Sequence, residues 1–221
     1  MPDKKILDMS SLSVRIDLFL LKNEIITALQ SISMDTEEIV FVFEEEKATQ
    51  LAALFLKLCE EEIHFLRLLA LMYTADRESL KEQDQPITGD ACFLTEYGIF
   101  LGQVFVLLMN SEEGGDCSYW ARHIEKRKGQ AKVSLLKDPG RGELSKVEVD
   151  IVEFICDHFR FPKMDRDFPE WQNPEVEYGL IMKPLNNYDL LQNHLGKTKE
   201  DLDHIKENCL LDWQWKKIGE T

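Results

Sequence analysis

The segment Leu66–Asn110, LRLLALMYTADRESLKEQDQPITGDACFLTEYGIFLGQVFVLLMN, decides how this chain folds. From Phe65 to about Ala75 it is apolar nearly all round, which predicts a central buried helix. That helix closes on Tyr73-Thr-Ala-Asp76-Arg77, and residues 78–90 read as a connector. Its last part, Pro86-Ile-Thr-Gly-Asp90, carries turn-forming residues. Ile87–Thr95 fits a short strand with Gly89-Asp90 as its turn, and a third helix is expected from Tyr97 to Met109. On it, Gly98 and Gly102 stand four apart and would let another element come close. Asp76, Arg77, Thr88, Gly89 and Asp90 are the polar residues nearest the core. They read as an ion-pair and turn network closing the connector onto the central helix. Asp90 and Glu96 are the candidate carboxylate partners of Arg77.

Working outward, Leu12–Leu29 mixes strand alternation (Val14, Ile16, Leu18) with helical spacing (Leu21, Ile25, Leu29), and helix is preferred after Leu20. Ile39-Val-Phe-Val-Phe43 reads as a short buried strand. Glu44-Glu45-Glu46 puts acid at the start of a helix running to about Glu61, with Leu51, Leu54, Phe55 and Leu58 on one face. Downstream, Tyr119-Trp120 begins a short helical piece ending by Gly129. Lys132–Lys137 is a candidate strand that could pair with Ala91–Thr95. Ser145 and Glu148 form a capping box for a helix reaching His158. Residues 160–187 hold four prolines and read as irregular. Asn187-Tyr188-Asp189 opens a helix closed by Gly196, and Thr198 with Asp201 caps the last one. The expected class is mainly α (α+β): one helical domain with a small two- or three-stranded β element. Residues 1–45 read as an N-terminal extension to a domain at 46–221.

The bulk properties narrow the function. Among 221 residues, 41 acidic against 26 basic side chains give a formal charge of −15. Phosphate affinity comes from Lys and Arg, so nucleic acid is a poor partner and basic proteins are favoured. The one basic cluster, Arg122, Lys126, Arg127, Lys128 and Lys132, reads as a solvated face. No run approaches about 18 apolar residues, so no membrane span is expected. The opening MPDKKILDMSS lacks a signal-peptide pattern, which predicts a cytoplasmic protein. The five cysteines, Cys59, Cys92, Cys117, Cys156 and Cys209, are odd in number and without a C-x-x-C pair. They argue against a disulfide framework, and Cys59 and Cys156 read as small core residues.

Chemistry has little to stand on. Glu61-x-x-His64 has the spacing of a di-iron ligand pair, with Asp201-x-x-His204 as a weak companion, but such sites need four helices of ligands. Cys156-Asp157-His158 are consecutive on a helix, about 100° apart, and do not converge. His123 and His194 stand alone, and no nucleophile elbow, Walker or dinucleotide motif is present. No cofactor, metal or catalytic residue is therefore assigned.

The order of pieces resembles the Panacea family of SocA-type antitoxins. The residues that carry the resemblance are LLALMYTADRESL (68–80), PITGD (86–90), Tyr97-Gly98, Trp120, Leu144-Ser-Lys-Val-Glu148, Phe168-Pro-Glu170-Trp171-Gln-Asn-Pro174 and Asn187-Tyr-Asp-Leu-Leu through Leu195-Gly-Lys-Thr. It extends over about residues 46–208. Two departures stand out. Ile99 and Phe100 occupy the places of the family's proline and valine, an arrangement expected to start the third helix sooner. Arg166 lies near the place of a histidine before Pro-Glu-Trp.

The resemblance implies an antitoxin that neutralises a cognate protein toxin, without an enzymatic activity of its own. Some relatives are adaptors that deliver the toxin to an AAA+ protease. A metal-dependent or hydrolytic enzyme is a third reading, and acidic mimicry of nucleic acid a fourth. Asp76, Arg77, Thr88, Gly89, Asp90, Tyr97, Gly98, Trp120, Glu170 and Trp171 are then family-motif residues with structural or partner-contact roles. Leu18, Phe19, Leu21 and Ile25, outside the shared core, form a candidate toxin-binding arm or an extra layer on that core.

Overall fold

The computed structural model describes residues 12–31, 38–59, 62–95, 98–113, 117–127, 130–158 and 183–219. Helix α1 is Leu12–Ser31, α2 Glu45–Leu58 and α3 Phe65–Gln83. Strand β1 (Glu62–His64) precedes α3, and the hairpin β2 (Cys92–Thr95) and β3 (Gly98–Leu101) leads into α4 (Gly102–Glu113). After a 3-10 turn at Trp120–Arg122 come β4 (Ile124–Lys126), β5 (Lys132–Leu135) and α5 (Lys146–His158). Strand β6 (Lys183–Pro184), α6 (Asn187–Asp189) with the π turn Leu190–His194, and α7 (Lys199–Gly219) complete the order.

Helix α3 is the central element, as its apolar circumference predicts. Phe65, Leu68, Leu69, Leu71, Met72 and Tyr73 are all buried. It does not stop at Arg77, because residues 78–83 are mostly good helix formers. Asp84 ends it in a left-handed conformation (φ 62), donating its N–H to Leu80 O at 3.2 Å. The connector therefore shrinks to 84–90.

Two helices, α2 and α5, pack on α3, and α1 packs on α4. The ambiguous stretch after Leu12 is helical throughout. Its Leu18, Leu21 and Ile25 join the main core, while Phe19 is 55% exposed.

Among the described residues the β structure is two three-stranded antiparallel sheets, β1-β5-β4 and β3-β2-β6. Four expectations are corrected. Gly98–Leu101 is not part of a helix: Ile99 and Phe100 lie opposite Leu94 and Phe93 in a hairpin, and the helix begins at Gly102. Both side chains are buried, and branched and aromatic residues favour the pleated arrangement. Strand β5 pairs with β1 and β4 rather than with β2, and residues 124–126 form β4 rather than helix. The strand expected at 39–43 is not formed: these residues belong to no strand or helix and have no ladder partner among the described residues. Side chains take the place of that ladder. Asn187 Nδ2 donates to Ile39 O (2.8 Å), Trp213 Nε1 to Val40 O (3.1 Å) and Lys216 Nζ to Phe43 O (3.2 Å). A second apolar cluster, including Ile39, Leu80, Leu191, Leu202 and Ile205, joins this segment to the end of α3 and to α7.

Local punctuation reads as predicted. Ser145 N donates to Glu148 Oε2 (2.7 Å) while Glu148 N donates to Ser145 Oγ (3.3 Å). Thr198 and Asp201 make the same exchange at α7, and Gly196 has φ +70. The basic cluster is not a shared face: Lys126 is buried with its ammonium 5.5 Å from the Phe65 ring centre.

Cys59 and Cys156 are not independent core residues. Helices α2 and α5 lie side by side, and the two cysteines form a disulfide across a sequence separation of 97, with Cα atoms 5.7 Å apart. Closing so long a loop restricts the unfolded chain. Reduction, or the Cys59→Ser/Cys156→Ser double variant, is expected to lower the unfolding free energy by about 2–4 kcal/mol. Denaturant titration with and without reductant measures this, and an unchanged midpoint rules the crosslink out as a stabilising element.

Candidate functional site

The motif residues Asp76, Thr88 and Asp90 meet in one buried clasp. Asp76 lies on α3 and is 3% exposed, too far inside to be solvated. Its Oδ1 accepts the Thr88 N–H at 2.9 Å, and its Oδ2 accepts the Thr88 hydroxyl. That hydroxyl oxygen in turn accepts the Asp90 N–H at 3.1 Å. The Asp90 carboxylate, 5% exposed, accepts Gln103 N–H and Val104 N–H, each at 2.9 Å. These are free donors of the first turn of α4, so Asp90 caps a helix from twelve residues outside it. Thr88 O accepts Glu44 N–H (3.0 Å), which ties the 38–44 segment to the same turn.

Gly89 makes this geometry possible. Its φ is +68, and a Cβ there would sit 1.9 Å from Val42 O. Gly102 is also a point of close approach, since a Cβ would lie 2.5 Å from a Phe93 ring carbon. The close approach expected at Gly102 is therefore present, at the start of the helix. Gly98 instead opens β3.

Burial dominates the electrostatics. Desolvation raises Asp76 to about 6, against the opposing hydrogen bonds from Thr88 and the more distant Lys47 charge. Asp90 is pushed up to about 7 by desolvation, with the neighbouring Asp76 charge adding to the rise. The backbone donors of Val104 and Gln103 oppose it. Asp90 also borders a cavity of about 480 Å³ lined by Ile39, Phe41, Asn186 and Asn187.

The remaining predicted residues fall elsewhere. Asp90 spends its oxygens on α4 rather than on Arg77, whose Nη1 lies 3.7 Å from Glu78 Oε1. Trp120 is fully buried, and its backbone N–H donates to Glu45 Oε1 at 2.9 Å, joining the 3-10 turn to the start of α2. Tyr97, Glu96, Glu170, Trp171, Arg166 and Glu61 lie outside the described residues. His64 caps α3, its Nδ1 accepting Leu66 N–H at 3.3 Å, and His158 Nδ1 lies 2.9 Å from Phe154 O. His123 Nδ1 lies 2.8 Å from Tyr119 O. Among the described residues no group of three His, Cys, Asp or Glu is placed to hold a metal ion.

Sequence reasoning missed the backbone donors of Gln103 and Val104 and the side chain of Glu45. The first two were hidden by placing the helix start at Tyr97 rather than at Gly102. Glu45 carries no local signal, because its partner is 75 residues away.

Residues 68–164 match the family model of the antitoxin SocA-like, Panacea domain. The match covers the clasp, the β2–β3 hairpin, α4, Trp120 and α5, and is narrower than the 46–208 span of the sequence resemblance. No curated protein and no solved structure matches the chain.

Two outcomes test the clasp. Gly89→Ala is expected to destabilise the fold by more than about 2 kcal/mol, from positive-φ strain and collision with Val42. A carboxyl whose folded pKa is raised gives stability that is complete below its unfolded pKa and lost as pH rises through the folded one. Asp90→Asn cannot titrate, so the stability gap between wild type and variant should be wider near pH 5.5 than near pH 8, by about 1–2 kcal/mol. Urea titrations at both pH values measure it, and a pH-independent gap refutes a raised Asp90.

Proposed function

We propose that this chain is an antitoxin that neutralises a cognate protein toxin by direct stoichiometric binding, with no chemistry of its own. One observation carries the reading: the segment that matches the antitoxin family is also the one whose motif residues are consumed in internal hydrogen bonds. Asp76, Thr88 and Asp90 hold α3, the turn and α4 together. The motif is a scaffold, and partner recognition belongs to the surfaces it supports.

The net charge of −15 supports a basic toxin, or the nucleic-acid-facing surface of one. In the N-terminal arm, Leu18, Leu21 and Ile25 are core residues, which leaves Phe19 and its exposed neighbour Leu20 for contact. Among the described residues no helix is long and apolar enough to cross a membrane.

The test is co-expression with the product of the adjacent reading frame. Growth arrest by that product alone, relief by this chain, and a one-to-one complex in pull-down are the expected results. Capture should weaken as salt rises, and salt-independent capture counts against the charge argument. Relief that occurs only when an AAA+ protease is present, with falling toxin levels, assigns the chain to the adaptor role instead.

A further inference from the structure

The 38–46 segment and α7 enclose a cleft of about 670 Å³. Its lining includes the half-buried Phe41 and Phe43 and Pro86. One wall is Trp215, 69% exposed, with Leu211 (52% exposed) one helical turn before it. The helix is pinned beside them, since Trp213 Nε1 bonds Val40 O and Lys216 Nζ bonds Phe43 O. An indole so exposed on an anchored helix is an apolar surface without a cover among the described residues, and tryptophan is the side chain most enriched at binding hot spots.

The charge around that indole selects the occupant. Five carboxylates line the cleft (Glu44, Glu45, Glu46, Glu143 and Asp212) against two ammonium groups, Lys47 and Lys216. Both cations are engaged, Lys47 with Glu148 at 2.8 Å and Lys216 with the Phe43 carbonyl. Glu45 is engaged by Trp120 N–H. Glu44, Glu143 and Asp212 present exposed side chains that carry no hydrogen bond or ion pair among the described residues. A second copy of this acidic chain, a phosphate backbone or an anionic lipid surface is repelled by such a rim.

We propose that this cleft is the docking site for a cationic, partly apolar segment of the partner protein, one Arg or Lys of which stacks on Trp215 while its neighbours face Glu44, Glu143 and Asp212. The proposal rests on the antitoxin reading for the identity of the partner, and on the cleft alone for its chemistry. A cation over an indole face, flanked by carboxylates, combines cation–π attraction with charge pairing.

The test has two arms. In the first, a short labelled peptide alternating Arg with Leu is titrated by fluorescence anisotropy against the full chain. Trp215→Ala and the Glu44→Lys/Glu143→Lys pair are expected to weaken binding at least about tenfold. The charge-matched pair Asp203→Lys/Glu207→Lys, elsewhere on α7, should leave it within about twofold, as a distant rim charge does. Equal losses from both charge pairs, or no loss from Trp215→Ala, overturn the cleft and leave only the overall field. In the second arm the same variants, with Phe19→Asp for comparison, are co-expressed with the adjacent gene's product. Relief of toxicity lost at Trp215 and kept at Phe19 supports the cleft. Relief kept in Trp215→Ala overturns it while the antitoxin reading stands. A wild type that gives no relief overturns the antitoxin reading, and the peptide arm then decides the cleft by itself. Circular dichroism and melting of each variant separate lost binding from lost folding.

Discussion

The fold depends on one hydroxyl group. Thr88 donates to Asp76 on α3 and accepts from the backbone of Asp90, whose carboxylate caps α4. Two buried helices, the turn between them and the 38–44 segment are thereby brought into register through a single residue. Each bond is modest on its own. Their combined effect is large because these donors and acceptors are cut off from water.

That arrangement places two carboxyl groups in the interior of a chain already rich in negative charge. The first turn of α4 supplies backbone donors to one, and Thr88 supplies two donors to the other. The donors do not fully offset desolvation, and so both groups hold protons more tightly than free aspartates. The clasp is therefore a compromise between helix capping, which favours the anion, and burial, which favours the acid.

What was legible in the sequence was mostly local. The capping boxes at Ser145–Glu148 and Thr198–Asp201 act between residues three apart, and the spacing alone identifies them. The apolar circumference of α3 likewise reports its burial. The polar residues nearest the core were read as one network, and Asp76, Thr88 and Asp90 do meet, although Asp90 binds α4 rather than Arg77. Ladder partners were not legible. A strand such as Lys132–Leu135 carries no mark saying whether Glu62–His64 or Cys92–Thr95 lies beside it. The Cys59–Cys156 pair was hidden for the same reason, since its distance depends on how α2 and α5 pack. Ile99-Phe100 misled because a short apolar run serves strand and helix equally well. Its choice follows from the facing residues Phe93 and Leu94.

The 38–44 segment has a consequence for the order of events in synthesis. Its carbonyls wait for Asn187, Trp213 and Lys216, the last two lying 173 residues downstream of their acceptors. Contacts so distant along the chain form late. A nascent chain leaving the ribosome can assemble α1 to α5 around α3 while this segment still lacks its lining. The surface it shares with α7 comes into being only once translation has passed Lys216. Products that stop before α7 therefore lack that surface.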